Sequence, residues 1–250
     1  TSISAWRSWY FTPQNDIDYT NLTAGQGGFL NTKDDQYSQE IRLASPIGKR
    51  YDYVVGSYYY HQNVQSNQQY QTGPYGLSVM GLPNNALLNG HGYGTTNSYA
   101  FFGQGTFHAT DKFDLTAGLR DTLEAKDAII DQEKTQLLNP ADPTNAYGNA
   151  AINGSPLFRQ YNSGQPHLFS SILSGLTTAS YKFNDDILGY VTYSRGSKSG
   201  GYNLNGILSP GSQVGVAGIQ VRPETADNVV APAPRYRLPG HRTRQAKAQL

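Results

Sequence analysis

Residues 97–124 read NSYAFFGQGTFHATDKFDLTAGLRDTLE, and this stretch decides the fold. Two runs of about a dozen residues flank a polar turn at residues 109–112. In the second run apolar and polar residues alternate. The apolar positions are Phe113, Leu115, Ala117, Leu119 and Leu123, and the polar positions between and beside them are Asp114, Thr116, Gly118, Arg120, Thr122 and Glu124. A helix would scatter these residues around its surface, whereas a strand sorts them onto two faces. The stretch predicts a hairpin whose second strand is long enough to cross a bilayer at a tilt, which takes about nine to eleven residues.

The composition agrees with a barrel better than with an ordinary enzyme core. Apolar residues make up 37% of the chain and charged residues 15%, where about a quarter charged is usual. Tyrosine and glycine are abundant, at 19 and 27 residues. The absence of cysteine from the sequence excludes disulfides, thiolate metal sites and cysteine nucleophiles. No run of about eighteen apolar residues predicts a transmembrane helix.

The rest of the chain repeats the strand pattern. Further strands are predicted at residues 2–11, 36–44, 51–61, 168–183 and 187–195, and an eighth begins at Val221. Polar segments at residues 12–35, 62–96, 126–167 and 196–220 alternate with short turns. Structureless loops beyond about 15 residues are uncommon in compact domains, but long extracellular loops and short periplasmic turns are typical of outer-membrane barrels. We therefore predict an all-β fold, an antiparallel up-and-down transmembrane β-barrel segment.

The first residues carry no pattern of a secretory signal. Residues 1–11 lack the basic segment followed by an apolar segment that marks a signal peptide. They already have the composition of a strand, with Trp6, Trp9 and Tyr10. Either the protein stays inside the cell or the chain begins partway through a longer protein, and the strand composition favours the second interpretation.

Seven motifs, together with the pair Asp111-Lys112, carry a family resemblance. They are YSQEIRLAS at residues 37–45, VGSYY at 55–59, AFFGQG at 100–105, TAGLR at 116–120, YVTYSRG at 190–196, KSGGYN at 198–203 and PET at 223–225. Together they resemble the motifs of TonB-dependent outer-membrane receptors, and they cover residues 1–228.

The resemblance implies a barrel of about 22 strands around an N-terminal plug, in the outer membrane of a Gram-negative cell. Such receptors import ferric siderophores, and sometimes cobalamin or glycans, with energy passed from the TonB complex. Residues 1–228 would supply about seven to eight of those strands and no plug. The expected partners are outer-membrane lipid and a ferric siderophore or similar small ligand, and the TonB complex would act only through the missing plug. Nucleic acid, cofactors, bound metals and catalysis are not expected.

Residues 229–250 depart from the family pattern. They carry five basic and no acidic residues, and Pro232, Pro234 and Pro239 could not donate the hydrogen bonds of a central strand. We expect this tail to be disordered and to be an out-of-frame translation, with a genuine basic extension as the alternative. If another reading frame after the Asn228 codon encodes an alternating strand, the first interpretation holds; if neither frame does, the tail is genuine.

Two groups of side chains are candidates for a functional site. Tyrosines in the predicted polar loops could stack on a ligand, with packing within the loops as the alternative; they are Tyr70, Tyr75, Tyr93, Tyr147 and Tyr161. Polar residues of the inward parity would face the plug or lumen of a complete receptor; they are Glu40, Arg42, Arg120 and Glu124. Tyrosines within strands, such as Tyr59 and Tyr193, are expected in aromatic girdles or packed in the lumen.

Other chemistry has little support in the sequence. The five histidines have no partner at metal-ligand spacing, and Asp185 and Asp186 fall in a tight turn. Residues 196–200 lack the spacing and the helix of a phosphate-binding loop, and nothing pairs a nucleophile with a base as in a hydrolase. The alternative class is a soluble or secreted all-β binding module such as a lectin-like sandwich, which turn signals every 8 to 12 residues or so would favour.

Overall fold

Strands make up most of the structure. The computed structural model describes residues 1–16, 19–46, 48, 50–80, 84–133, 136–137, 160–204 and 216–231. The strands in these ranges are β1 (Ser2–Phe11), β2 (Gln14–Asn15), β3 (Gly25–Ala44), β4 (Tyr51–Thr72), β5 (Ala86–His108), β6 (Phe113–Gln132), β7 (Gln136–Leu137), β8 (Tyr161–Asn162), β9 (His167–Lys182), β10 (Leu188–Lys198), β11 (Gly201–Tyr202), β12 (Gln220–Val221) and β13 (Glu224–Val230). Two short helices are α1 (Gly76–Met80) and α2 (Val216–Ile219). Neither is long and apolar enough to span a membrane, and the described ranges contain no other candidate.

The long strands form one antiparallel sheet in the order β1-β3-β4-β5-β6-β9-β10-β13. Three short strands pair beside this path, β2 on β3, β7 on β5 and β8 on β6, while β11 and β12 form a separate pair. Each long strand therefore lies beside the next long strand along the chain. Within the described residues β1 and β13 end the order without pairing with each other, so the sheet is open. The predicted all-β, antiparallel up-and-down fold is confirmed.

β5 and β6 form the central hairpin that the sequence predicts. They keep a single register along their shared length. Across the turn, the Ala109 amide donates to the Phe113 carbonyl at 2.9 Å. The Phe113 amide donates to Thr110 Oγ1 at 3.0 Å. A short polar side chain thus satisfies a backbone donor where the chain reverses, which is the usual role of threonine in a turn.

The register sorts the side chains onto two faces of the sheet. We call the side that bears Leu119 and Phe101 the outer face, and the side that bears Arg120 and Phe102 the inner face. Large apolar side chains are exposed on the outer face, with Phe101 at 65% and Leu119 at 64%. Polar residues interrupt the apolar parity of this face at Asp121, opposite Phe101, and on other strands at Gln39, Ser57 and Arg195. Soluble proteins rarely leave so many large apolar side chains together in water.

The four central strands are much longer than predicted. β3, β4, β5 and β6 have 20, 22, 23 and 20 residues. The predicted loops are therefore wrong over residues 25–35, 62–72, 86–96 and 126–132, which belong to these strands. The connection between β4 and β5 shrinks to residues 73–85 and includes α1.

Polar residues on both faces of β4 explain why its extension, residues 62–72, has no sequence signal. Without apolar and polar alternation, a strand shows no period of two. Cross-strand side-chain pairs hold the outer face of the extensions together. Thr95 Oγ1 donates to Asn63 Oδ1 at 3.0 Å, and Gln69 Nε2 donates to Asn89 Oδ1 at 2.8 Å. Each such pair contributes about 0.2–1 kcal/mol to a sheet.

The end of the sheet also differs from the prediction. Val221 does not begin the eighth long strand but ends the short β12, and the eighth long strand is β13. β13 pairs with β10 up to Val230 opposite Thr192. The strand therefore runs through Val229 and Val230, two residues past the predicted boundary at 228. Residues 232–250 lie outside the described residues, so the out-of-frame tail stays a prediction.

Candidate functional site on the inner face

One row of inner-face residues crosses β3 to β6. Gly56 pairs with Arg42 on one side and with Phe102 on the other. Gly56 makes room for the aromatic ring, because a Cβ at this position would lie 2.5 Å from Phe102 Cζ. The Arg120 guanidinium lies 5.8 Å from the ring centroid of Phe102 and 5.5 Å from that of Tyr58, which is within the range of a cation–π contact. The row therefore holds a cation against two aromatic rings.

Two ion pairs lie on the same face. The Glu40 carboxylate pairs with Arg42 Nε, and Glu124 Oε1 lies 2.8 Å from Lys126 Nζ. The side chains of Glu40 and Glu124 are only 16% and 14% exposed. A mostly buried carboxylate needs such a partner, because removing an unpaired charge from water is costly. The structure thus places Arg120 and the other three predicted polar residues on the inner face, while their contact with a plug or lumen stays a prediction.

Asp34 extends this polar surface along β3. Its side chain is 5% exposed, and its Oδ2 accepts a hydrogen bond from Gln62 Nε2 at 2.7 Å. Asp34 Oδ1 has no hydrogen-bond partner among the residues that the structure describes. Sequence analysis missed this position because it placed residues 12–35 in a loop. The inward parity of Glu40, continued back along the chain, is the signal that could have found it.

Two of the tyrosine candidates lie in long strands. Tyr70 is in β4 and Tyr93 is in β5, so the prediction that placed them in loops is wrong. They project to opposite sides, because the parity of the pairs puts Tyr70 on the inner face and Tyr93 on the outer face. The Tyr93 hydroxyl donates to Asn63 Oδ1 at 3.2 Å, and burial raises the pKa of the Tyr70 hydroxyl.

The other two tyrosine candidates that the structure describes lie outside the long strands. Tyr75 is 51% exposed and lies just before α1, whereas Tyr161 in β8 is only 8% exposed. Burial raises the pKa of the Tyr161 hydroxyl. Tyr147 lies outside the described residues. The described tyrosines therefore lie in different surroundings, and their stacking on a ligand stays a prediction.

His108 bridges two carboxylates at the turn end of the sheet, a cluster that sequence analysis missed. Its Nδ1 lies 2.7 Å from Asp114 Oδ1, and its Nε2 lies 3.1 Å from Asp52 Oδ2. Hydrogen bonds to Asp114 and then to Asp52 raise the pKa of the His108 imidazole, because they favour its protonated form. Asp52 is 56 residues away, so only the strand register reveals this cluster. No group of three or more metal-ligating side chains within the described ranges could hold a metal ion.

Two aromatic belts cross the outer face. The upper belt consists of Tyr37, Tyr59 and Tyr99, whose ring centroids lie 6.2 Å and 4.9 Å apart in succession. The lower belt consists of Tyr51 and Phe107, which stack at 4.9 Å near the turn at residues 109–112. Tyr59, which the sequence assigns to a girdle or to the lumen, thus lies in a belt. Aromatic belts that flank an apolar band are the pattern of strands that cross a membrane.

One protein family matches nearly the whole chain. The sequence model of the family described as "TonB dependent receptor-like, beta-barrel" matches residues 2–230. The chain belongs to this family. The family resemblance of the seven sequence motifs is thereby confirmed.

Named relatives of this TonB-dependent receptor chain are receptors. The pesticin receptors of Yersinia enterocolitica and Yersinia pestis are each 22% identical to it over 232 residues. The alignment covers 91% of this chain but only 27% of each relative, so the chain spans less than a third of their length.

A solved structure supports the fold assignment. The ferric yersiniabactin uptake receptor FyuA from Yersinia pestis aligns with a TM-score of 0.68 and 20% sequence identity. The alignment covers 95% of this chain and 30% of that one. At this level of identity the match shows a shared TonB-dependent receptor barrel fold and nothing finer.

Proposed function

We propose that the chain is part of an outer-membrane receptor that imports a ferric siderophore or a similar small ligand. The observation that carries the proposal is the division of one sheet into an exposed apolar band between two belts and a polar inner face. Family membership supports a transport receptor rather than an enzyme. The ligand class follows from distant relatives, one of which is named as a ferric yersiniabactin uptake receptor.

The band between the belts has the height of a membrane-spanning surface. Tyr51 of the lower belt and Tyr59 of the upper belt are eight residues apart on β4. At about 3.3 Å per residue and a tilt of about 40°, they are separated by about 20 Å along the membrane normal. The apolar band of a transmembrane barrel is about 25 Å tall. Asp121 lies only two residues from the upper-belt row that contains Leu123, near the interface where a carboxylate costs little.

The strand extensions would form an extracellular wall above the membrane. Past the upper belt, β4 continues from Tyr59 to Thr72, which is about 40 Å of strand at the usual rise per residue. This end of the sheet carries the long connections, and the long loops of outer-membrane barrels are extracellular. The opposite end carries the short turn at residues 109–112.

The inner face would line the barrel. Its ion pairs and the Arg120 contacts give it a charged surface suited to meet a polar plug. We assign Glu40, Arg42, Arg120 and Glu124 to contacts with plug or lumen groups, and the TonB complex would act through that plug. The exposed apolar band argues against the alternative of a soluble all-β module, because a soluble module would bury such a surface.

Uptake of radioactive iron tests the proposal. The receptor that contains these residues is expressed in an iron-limited strain that lacks its own siderophore receptors, and a panel of ferric siderophores is offered. We expect at least one to be accumulated, and we expect this accumulation to disappear in a matched strain without TonB. Accumulation of none, or accumulation that persists without TonB, would contradict the proposal.

A further inference from the structure

A segment that follows β10 turns back over the inner face and is tied to β6. Lys126 Nζ donates to Ser199 Oγ at 2.9 Å and to the Gly200 carbonyl at 2.7 Å. Glu124 Oε1 lies 2.8 Å from the same nitrogen and pairs with its charge. Two of the three ammonium donors therefore hold residues that follow β10. Lys126 is an anchor for the segment, and its charge is balanced within the chain.

Two glycines of β5 form the seat for this segment. Gly92 and Gly94 share the inner face, since alternate residues of a strand point to one side. A Cβ at Gly92 would collide with the carbonyl oxygen of Leu204, and one at Gly94 would lie 2.9 Å from Leu204 Cδ1. Because glycine has no side chain, the sheet surface is flat at Gly92 and Gly94, and the backbone of Leu204 occupies the space that larger residues would fill.

The return leg of the segment is held as well. The Asn203 amide donates to the Ile219 carbonyl at 2.8 Å, and β11 pairs with β12 next to it. Ile219 is 3% exposed and packs in one cluster with Ile130 of β6 and Tyr161. Tyr202 and Leu204 are partly buried against the same cluster. Both legs therefore rest on the sheet through polar and apolar contacts together.

We propose that residues 199–204 and 216–221, here called the strap, form a latched device that narrows the barrel on its extracellular side, with Lys126 as the latch. The inference rests on the proposed function, because the inner face lines a passage only in a barrel. Lys126 lies three residues past Leu123 of the upper-belt row, so the strap sits on the extracellular half of the inner face.

The space beneath the strap is too small to be a ligand site. The cavity between the strap and the sheet has a volume of about 190 Å³ and is lined by Gln62, Thr96 and Ala128 on the sheet side. Sites for small molecules of drug size have about 300–1,000 Å³. The strap must therefore lift before a molecule of that size can pass beside β5, and breaking the Lys126 contacts frees it to do so.

Thiol labelling of the sheet beneath the strap tests the proposal. The 250 residues contain no cysteine, so one introduced thiol is unique within them. Ala128 is 1% exposed and lines the cavity, and Ala128→Cys leaves the strap itself unchanged. In outer membranes that contain the receptor, a membrane-impermeant maleimide should label this thiol far more slowly than one at Asn21→Cys, which replaces an exposed loop residue.

Three second-site variants then separate the latch and the seat from general damage. Lys126→Ala and Gly92→Ala should each accelerate labelling of the thiol at position 128, by on the order of tenfold if local opening controls access. Gly90→Ala is the matched control, because a Cβ there would meet the flexible Gln68 side chain, with Cγ at 3.1 Å, instead of the strap backbone. It should leave the labelling rate unchanged.

The outcomes decide between the alternatives. Fast labelling of the parent, or equal labelling in Gly92→Ala and Gly90→Ala, would overturn the strap. If Lys126→Ala does not assemble, as judged by heat-modifiable migration, the glycine pair alone decides. Iron uptake is measured on the same membranes. If Lys126→Ala and Gly92→Ala accelerate labelling at position 128 but the parent shows no TonB-dependent iron uptake, the proposed function is refuted and the strap is supported.

Discussion

The strands β3 to β6 have a lower half, between the two aromatic belts, and an upper half, which continues past the upper belt. Both halves belong to one sheet but differ in their sequence patterns. Between the belts, the outer face is mainly apolar and exposed, as at Leu119, and the inner face is mainly polar. Above the upper belt the outer face of β4 and β5 is mainly polar as well, and pairs such as Asn63 with Thr95 bond across the strands. The strand continues in both halves. Alternation therefore reports the solvent on each side of a strand, lipid or water, and not the strand itself.

The backbone imposes the same need on both halves. In a membrane every backbone donor and acceptor must be paired within the protein, because lipid offers no partner. In the upper half water could replace some of these bonds, so pairing there depends more on side-chain contacts across the strands. The two halves should respond differently to the same substitution, and this difference can be measured.

The largest expected effect is on the solubility of the chain when neither lipid nor detergent covers the outer face of the lower half. Expressed alone and without detergent, the chain should not form a monodisperse monomer, because the band around Phe101 and Leu119 is exposed and β1 and β13 present free edges. Size exclusion with circular dichroism measures this. A monodisperse, cooperatively melting monomer would contradict a lipid-facing outer surface in the lower half and would favour a soluble all-β module.

A single arginine should distinguish the halves. Leu119 shares a row with Gly103 and Val55, midway between the belts, and arginine on the lipid face costs about 2–4 kcal/mol near the midplane. Leu119→Arg should therefore impair assembly, measured by heat-modifiable migration in outer membranes. Gln65→Arg on the outer face of the upper half and Arg120→Gln on the inner face are the controls, and both should be mild. Equal damage from all three would show that the faces were misassigned.

Packing on the inner face of the lower half should have a smaller effect. Gly56→Ala places a methyl group against the Phe102 ring and the Ile41 carbonyl, both 2.5 Å from the ideal Cβ. Overpacking of this kind costs about 1–3 kcal/mol. Gly105→Ala on the same sheet is the matched control, because the nearest atom, the Asp52 carbonyl oxygen, lies at 3.7 Å. Unfolding in urea in detergent measures both variants, and a neutral Gly56→Ala would refute the close ring contact.

The smallest effect concerns pH at the turn end of the lower half. His108 lies beyond Phe107 of the lower belt, at the last position of β5. Because hydrogen bonds to Asp114 and Asp52 raise its pKa above 6.5, the stabilisation is complete below pH 6.5 and is lost as the pH rises through the raised value. The stability difference between the parent and His108→Gln should therefore shrink from pH 6 to pH 9. A difference that grows with pH would contradict the assigned contacts.

Much of the lower half could be predicted from residues alone. The parity of residues 113–124 predicted the hairpin, and Tyr59 lies in a belt as one of the two predicted alternatives. The motifs predicted the family, and most of them lie in the long strands. In the upper half, Tyr70 and Tyr93 were misplaced for the converse reason. A glutamine-rich strand with water on both sides has the composition of a loop.

The sequence by itself determined which residues alternate, and therefore the fold class, the family and the inward parity of Arg120 and Glu124. Only the tertiary structure decided how far each strand runs and which distant residues meet. Asp52 reaches His108 through the register of neighbouring strands, and Leu204 reaches Gly92 because the segment after β10 folds back over the sheet. Alternation is a local property, set by the solvent at each face, so one strand can display it. Pairing is non-local, since each contact depends on the register of a second strand, and no single segment encodes it.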